Sequence, residues 1–172
     1  MVKKGGEVSE TLGEVKYSGE FDYEALYLTI YNWLKKKGYL INETYKHKMT
    51  PSGAEVELTF KGDKKVTEFF KYKIECETKI WGLSEFEATR HGKKQKLNKG
   101  RMNITLSITL HLDYNSRFDK SEFTQRLFNM IRFTLLRKKI IIVWAGALMA
   151  ECYQLHTEIK KQLGMETAYS AW

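Results

Sequence analysis

The sequence predicts an α+β fold with an antiparallel sheet of about five to six strands, one short N-terminal helix and one long C-terminal helix. Three observations support this class. Residues 23–37 have the apolar spacing of a helix, residues 39–114 alternate apolar and polar side chains as strands do, and residues 122–164 contain no signal that ends a helix. With 42% hydrophobic residues in 172, the chain is large enough for one folded core.

The N-terminal region begins with a polar, glycine-containing stretch, residues 1–13, which is expected to be a flexible arm. The alternation of Val15 and Tyr17 then predicts a short strand. Asp22 is a typical N-cap residue, and Gly38 is a typical stop signal. Between them one apolar stripe predicts a helix over 23–37, formed by Leu26, Ile30, Trp33 and Leu34.

Three segments with a period of two, 54–62, 66–82 and 101–114, predict strands that are apolar on one face and polar on the other. Turns are expected at 50–54, at 62–65 and between residues 91 and 100. The pattern therefore indicates an antiparallel sheet with one covered face and one face in water.

A second helix is predicted after residue 114. Asp119 and Glu122 have the spacing of a capping box, and Phe118 with Phe123 has that of a hydrophobic staple. An unbroken helix over 122–164 would be about 60 Å long, so part of it is expected to project, to break or to meet another chain. The chain is therefore predicted to consist of four parts. They are a flexible arm (1–13), a sheet domain that includes the start of this helix (14–137), an apolar helical extension (138–164) and a tail (165–172).

This order of elements resembles a reduced version of the helix-grip architecture of the START-related (SRPBCC) superfamily. Four stretches resemble a group of uncharacterised archaeal proteins of similar length: YSGEFDYEALYLTIYNWLKKKGY, KVTEFFKYKIECETKIWGL, GKKQKLNKGRMNITLSI and LHTEIKKQLGMET. The resemblance spans roughly residues 15–167. It implies a fold and an archaeal source, and it carries no catalytic motif.

The composition bounds the location and the partners. No apolar run follows Lys3 and Lys4, so no export signal is expected, and two distant cysteines, Cys76 and Cys152, give no disulfide framework. A cytoplasmic protein is therefore expected. The net charge of +8 makes polyanions a candidate class of partner.

No signature of a nucleophile, a nucleotide-binding loop or a catalytic metal site is present, so neither an enzyme nor a cofactor is expected. Cys152 and His156 lie one helical turn apart, but no third metal ligand is evident, so no metal site is expected. The alternation around Glu43 aims its carboxylate at the apolar side of the sheet. There it would act as a buried acid or polar anchor, unless the strand twists or ends and Glu43 reaches water.

Two ligand hypotheses remain open. An apolar ligand between the sheet and the C-terminal helix would suit Tyr45, Phe60, Phe70 and Tyr72, although an ordinary filled core needs the same residues. A cationic hairpin would suit a phosphate backbone, although no aromatic residue interleaves its cations and such hairpins also prevent edge pairing. Its six cations are Arg90, Lys93, Lys94, Lys96, Lys99 and Arg101.

The apolar run from Ile140 to Ala150 is too short to span a bilayer, which requires about 20 apolar residues. It continues into a heptad seam, and Gly146 with Ala150 would allow a close helix neighbour. The alternative is a helix that bends near Lys138 and folds back on its own sheet. The predicted interface consists of Ile141, Ala145, Gly146, Leu148, Ala150, Cys152, Leu155 and Ile159.

Taken together, these patterns predict a non-enzymatic structural or interaction protein. It is expected to form a homo-oligomer, or a larger assembly, through its C-terminal helix. The alternatives are a binder of a small apolar ligand and a basic module that associates with nucleic acid through the hairpin.

Overall fold

A computed structural model describes residues 2–3, 7–51, 53–68, 70–90, 93–112, 126 and 140–165. For residues 2–3, 88–90, 93–95 and 140–142, only the backbone is described.

Five long antiparallel strands form a single sheet, and a two-residue segment extends one edge. The strands are β1 (Val2–Lys3), β2 (Glu7–Phe21), β3 (Leu40–Thr50), β4 (Gly53–Lys65), β5 (Phe70–Arg90) and β6 (Lys93–Leu112). Their order across the sheet is β1-β2-β6-β5-β4-β3, with short β1 beside the outer end of β2. The two α-helices are α1 (Tyr23–Lys36) and α2 (Gly146–Gln162), and a π-helical segment (Ile140–Ala145) leads into α2.

Helix α1 begins and ends at the residues that its capping signals predict. The Asp22 carboxylate accepts a hydrogen bond from the Ala25 N–H at 2.9 Å, and Gly38 adopts a left-handed φ of 80° just after the helix. Leu26, Ile30 and Leu34 are buried, so the helix packs on the sheet through its predicted apolar stripe.

The sheet has the predicted one-sided character. In β5, Tyr72, Ile74 and Cys76 are buried, whereas the intervening residues lie on the opposite, polar face. Both helices pack against the apolar face, where their buried residues and those of the strands form one core. The predicted α+β class with an antiparallel sheet and a C-terminal helix is confirmed.

The predicted boundaries of β2 and β4 are wrong. β2 begins at Glu7, so the expected flexible arm over 1–13 is partly strand, with Val8 and Leu12 packed against the core. A register shift between Thr11 and Gly13 interrupts the alternation, and this hid the strand in the sequence pattern. The expected turn at 62–65 is also absent, because β4 continues to Lys65.

The expected turn region at 91–100 is shorter than predicted. β5 and β6 pair as far as Arg90 and Lys93, so residues 93–100 belong to β6. The capping box and staple at 118–123 lie outside the described residues. Most of the predicted helix over 122–164 also lies outside the described residues. Within that range, a π-helical segment and α2 occupy 140–162.

Candidate functional site

The predicted heptad seam lies inside the chain's own core. Ala145, Leu148, Cys152, Leu155 and Ile159 are each no more than 4% exposed, and all five belong to the core cluster that includes the sheet. These five residues are therefore not available to a second chain, and the interface prediction is corrected for them. A stripe spaced by three and four residues packs on a flat sheet as well as on another helix, which explains the error.

The other predicted interface residues behave differently. Gly146 and Ala150 are not in the core, and nothing lies within 4 Å of a Cβ built at Gly146. Ala150 lines an open groove of about 880 Å³ between α1 and α2, together with Trp33 and Tyr153. The side chain of Ile141 lies outside the described residues.

Cys152 and His156 lie one helical turn apart on α2, and the pKa of each side chain is shifted by burial. Burial raises the pKa of the Cys152 thiol to about 12, which opposes the thiolate that a metal needs. Burial, and secondarily Lys160, lowers the pKa of His156, whose ring lies near Gly13 of β2. Within the described part of the chain, no cluster of three or more potential metal ligands is present.

A polar cluster that the sequence did not predict ties α2 to the sheet. Tyr39 donates a hydrogen bond to Glu151 at 2.6 Å, and the Lys64 ammonium donates to the same carboxylate at 3.0 Å. Lys64 also lies over the Tyr39 ring, 5.2 Å from its centroid. Burial, and then the hydrogen bond to Glu151, raises the pKa of Tyr39.

β3 is an open edge of the sheet. It pairs with β4 along its whole length and, among the described residues, has no strand on its other side. Leu40, Tyr45 and Met49 are 74%, 54% and 73% exposed. An 11-residue edge with such side chains is a template for pairing with another strand.

Glu43 lies on the helix-bearing side of β3, as the alternation predicts, because it pairs with buried Phe60. It is nevertheless exposed, since the strand is an edge, and it accepts a hydrogen bond from the Tyr27 hydroxyl at 2.7 Å. The buried-acid hypothesis is therefore wrong. Further along the same side, the rings of Tyr45 and His47 stack at 6.5 Å.

An open cleft of about 880 Å³ lies where α1 begins. Tyr23, Tyr45 and Met49 form part of its wall, and burial, then Tyr45 and Glu43, raises the pKa of Tyr23 to about 12. Three carboxylates, those of Asp22, Glu24 and Glu85, also line it. The cleft is thus a mixed surface and does not offer the apolar enclosure that a small apolar ligand requires.

The aromatic residues proposed to line an apolar cavity are dispersed. Phe60 and Tyr72 are buried in the core, and Tyr72 donates a hydrogen bond to the Trp144 carbonyl at 2.9 Å. Phe70 stacks on Trp144 at 5.0 Å. Tyr45 is on the open edge, so these side chains do not converge on one ligand site.

The three hairpin cations whose side chains are described do not form a single patch. Lys96 lines the cleft beside α1, whereas Lys99 and Arg101 lie on the polar face of β6. The backbones of Arg90, Lys93 and Lys94 pair at the tip of the hairpin, and their side chains lie outside the described residues.

No protein-family model matches the chain, and no curated protein matches it. Within the residues that the structure describes, no helix has the length and apolar character needed to cross a membrane.

Proposed function

We propose that this protein is a non-enzymatic interaction protein that forms a symmetric homodimer by pairing the β3 strands of two copies. The observation that carries this proposal is the 11-residue open edge with large apolar side chains exposed. The proposal keeps the homo-oligomer expected from the sequence and moves its interface from the heptad seam to the sheet edge.

The β3 sequence complements itself when it runs antiparallel to a second copy. A twofold axis at Tyr45 pairs all residues from 40 to 50, with Ile41 opposite Met49 and Glu43 opposite His47. On the polar face, the two lysines then lie opposite neutral residues, with Lys46 facing Thr44 and Lys48 facing Asn42. No like charges meet in this register.

Neighbouring registers fit less well. An axis at Lys46 places that lysine opposite its own copy, and like charges directly opposite are destabilising. An axis at Thr44 pairs only residues 40–48 and loses the Glu43–His47 pair. Shifts by one residue are excluded by symmetry, because a residue and its antiparallel partner must lie on the same face.

The alternative interpretation is that the β3 edge is protected against pairing and that the protein is a monomer. Lysines on an edge strand hinder pairing between molecules, and Lys46 is already 3.2 Å from Glu57 of its own chain. In the register centred on Tyr45, however, neither lysine is forced against another cation. The oligomeric state therefore discriminates between the two readings.

We also propose that the fold is helix-grip-like. Support comes from the packing of α1 and α2 side by side on the apolar face of the antiparallel sheet. Pairing of β3 strands would leave this packing intact and would place the helices of both copies on one side of a continuous sheet.

The test is size measurement by light scattering coupled to gel filtration, over a range of protein concentrations. Wild-type protein is expected to dimerise. Thr44→Lys should weaken the dimer by about tenfold, because each new lysine meets Lys46 of the other copy, and Thr44→Glu should strengthen it. Thr44 is exposed, so neither change disturbs the core.

Ala150→Lys is the matched control, because it adds a charge to the exposed surface of α2. It should leave the dimer intact. A wild-type protein that stays monomeric at 100 µM would falsify the proposal, and a dimer sensitive to Ala150→Lys but not to Thr44→Lys would transfer the interface to α2.

A further inference from the structure

The polar face of the sheet carries an exposed aromatic residue beside cations. Trp81 is 38% exposed, and its direct cross-strand partner on β6 is Arg101. Directly paired residues have Cβ atoms about 4.5–5.5 Å apart, so the indole and the guanidinium share one patch of surface. The sequence conceals this pairing, since 20 positions separate the two residues.

Lysines surround this pair. A shallow depression of about 250 Å³ next to Trp81 is lined by three lysines and two carboxylates, those of Lys46, Lys48, Lys79, Glu55 and Glu57. Lys99 lies two residues before Arg101 on the same face of β6. The aromatic surface that the hairpin cations lack in sequence is thus supplied by the neighbouring strand.

Charge on the polar face is distributed unevenly along the strands. The three cross-strand rows centred on Trp81 hold six cations and three carboxylates, whereas the next two rows away from the hairpin hold three carboxylates and one lysine. The first group comprises Lys16, Lys46, Lys48, Lys79, Lys99 and Arg101 with Glu20, Glu55 and Glu57, and the second comprises Glu14, Glu75, Glu77 and Lys61.

Some of these cations are engaged by neighbours. Lys46 pairs with Glu57 at 3.2 Å, and Lys79 pairs with Glu77 at 3.0 Å. Within the described residues, no acid lies within 4 Å of the Arg101 guanidinium, and Arg101 is exposed. Arg101 and its neighbour Lys99 are therefore the cations best placed to bind an external anion beside Trp81.

We propose that this surface, defined by Trp81, Lys48, Lys99 and Arg101 and called the Trp81 platform below, binds single-stranded nucleic acid. An unpaired base stacks on Trp81, and the phosphates on either side of it contact Arg101, Lys99 and Lys48. Exposed aromatic rings bind bases of any sequence in this way, and cations beside them follow the backbone. The net charge of +8 favours the approach of a polyanion.

The platform selects single strands over duplexes for a geometric reason. Bases in a duplex are stacked on one another and have no free face to offer to Trp81. A duplex would therefore contact only the cations, Arg101 included, with weaker binding that depends wholly on charge. The proposal does not depend on dimerisation, because Trp81, Lys99 and Arg101 lie on interior strands of each copy. Lys48 lies on β3, and pairing of two β3 strands keeps its side chain on the polar face.

The experiment measures fluorescence anisotropy of labelled dT20 and U20 at 50 mM salt, with a 20-base-pair duplex as the comparison. Wild-type protein should bind the single strands more tightly than the duplex. Trp81→Ala should weaken single-strand binding by about tenfold or more, and Trp81→Phe should retain most of it. Arg101→Ser with Lys99→Ser should flatten the dependence of log Kd on log salt by about 1.4, if each residue contacts one phosphate.

The matched control is Lys35→Ser with Lys36→Ser, which removes the same charge from exposed positions on α1. It should leave the salt dependence close to that of the wild type. Three results overturn the proposal: no binding at 50 mM salt, equal affinity for duplex and single strand, or a Trp81→Ala variant that binds as well as the wild type. Loss of binding only in Lys93→Ser with Lys94→Ser would place the site at the hairpin tip instead.

Discussion

Glu151 illustrates what a single side chain contributes to this fold. Its carboxylate accepts hydrogen bonds from Tyr39, just before β3, and from Lys64 of β4, so α2 is tied to the β3–β4 edge of the sheet. The side chains of Glu151 and Lys64 are only 22% and 25% exposed. The partners of Glu151 lie 112 and 87 positions away, so no local pattern predicted the cluster.

Glu151→Ala is expected to lower the free energy of unfolding by about 1–3 kcal/mol, because it leaves the Tyr39 hydroxyl and the Lys64 ammonium without their acceptor. Glu151→Gln should cost less, since the amide oxygen still accepts from Tyr39. Urea unfolding measures both. Glu158→Ala, at an exposed position of the same helix, is the control and should stay within about 0.5 kcal/mol of the wild type. If Glu151→Ala changes the free energy of unfolding no more than Glu158→Ala does, the role assigned to the cluster is wrong.

Among the elements, those with a clean repeat were predicted well and those with an interruption were not. Helix α1 has both capping signals and one apolar stripe, and it was placed within one residue of its observed end. The sequence pattern places the end of β4 too early, because Gly62 and Asp63 are turn-forming residue types. In the fold, Gly62 lies on an interior strand under the end of α1, where a Cβ atom would be in tight contact with its neighbours.

A Cβ built at Gly62 would lie 3.2 Å from Leu34 Cδ2 and from Tyr39 Cβ. Gly62→Ala is therefore expected to destabilise the protein by about 1–3 kcal/mol, because α1 or Tyr39 must shift to admit the methyl group. Gly146→Ala should have the opposite effect and raise the free energy of unfolding by up to about 1 kcal/mol, because that position is helical and has space for a methyl group. Thermal unfolding of both variants measures the two signs, and a neutral Gly62→Ala would mean that the helix end is loosely packed.

Two predictions were made for the C-terminal helix: that it has a buried apolar stripe, and that a second chain covers this stripe. The spacing of Leu148, Cys152 and Leu155 identified a buried stripe correctly, because spacing reports which face is covered. It did not identify what covers that face. The open edge at β3 was hidden for a related reason: its exposure depends on the order of strands in the sheet, which the sequence pattern does not encode.

For the molecule as a whole, the buried thiols and tyrosines determine how stability responds to alkaline pH. Burial raises the pKa of Cys76 and of Cys152 to about 12, from an ordinary value near 9. Burial also raises the pKa of Tyr23 to about 12. All three groups are neutral in the native state at pH values where the unfolded chain has begun to ionise.

A raised folded-state pKa of an acid means that the unfolded state releases its proton first. Below about pH 8 both states are protonated and these groups leave the unfolding free energy independent of pH. Between pH 9 and 12 the unfolded chain alone ionises, so stability should fall, by about 1.4 kcal/mol per pH unit for each thiol. Urea unfolding at pH 7, 9, 10 and 11 measures the slope.

The double variant Cys76→Ala, Cys152→Ala isolates the contribution of the thiols. It should be less stable at pH 7, because two buried side chains are shortened, yet its stability should fall less steeply above pH 9 than that of the wild type. Thiol labelling provides an independent measure, since the native protein should react with a disulfide reagent at pH 8 far more slowly than the urea-unfolded chain. Equal slopes for the two proteins, together with rapid labelling of the native state, would mean that the thiols are accessible and that α2 does not seal the core over them.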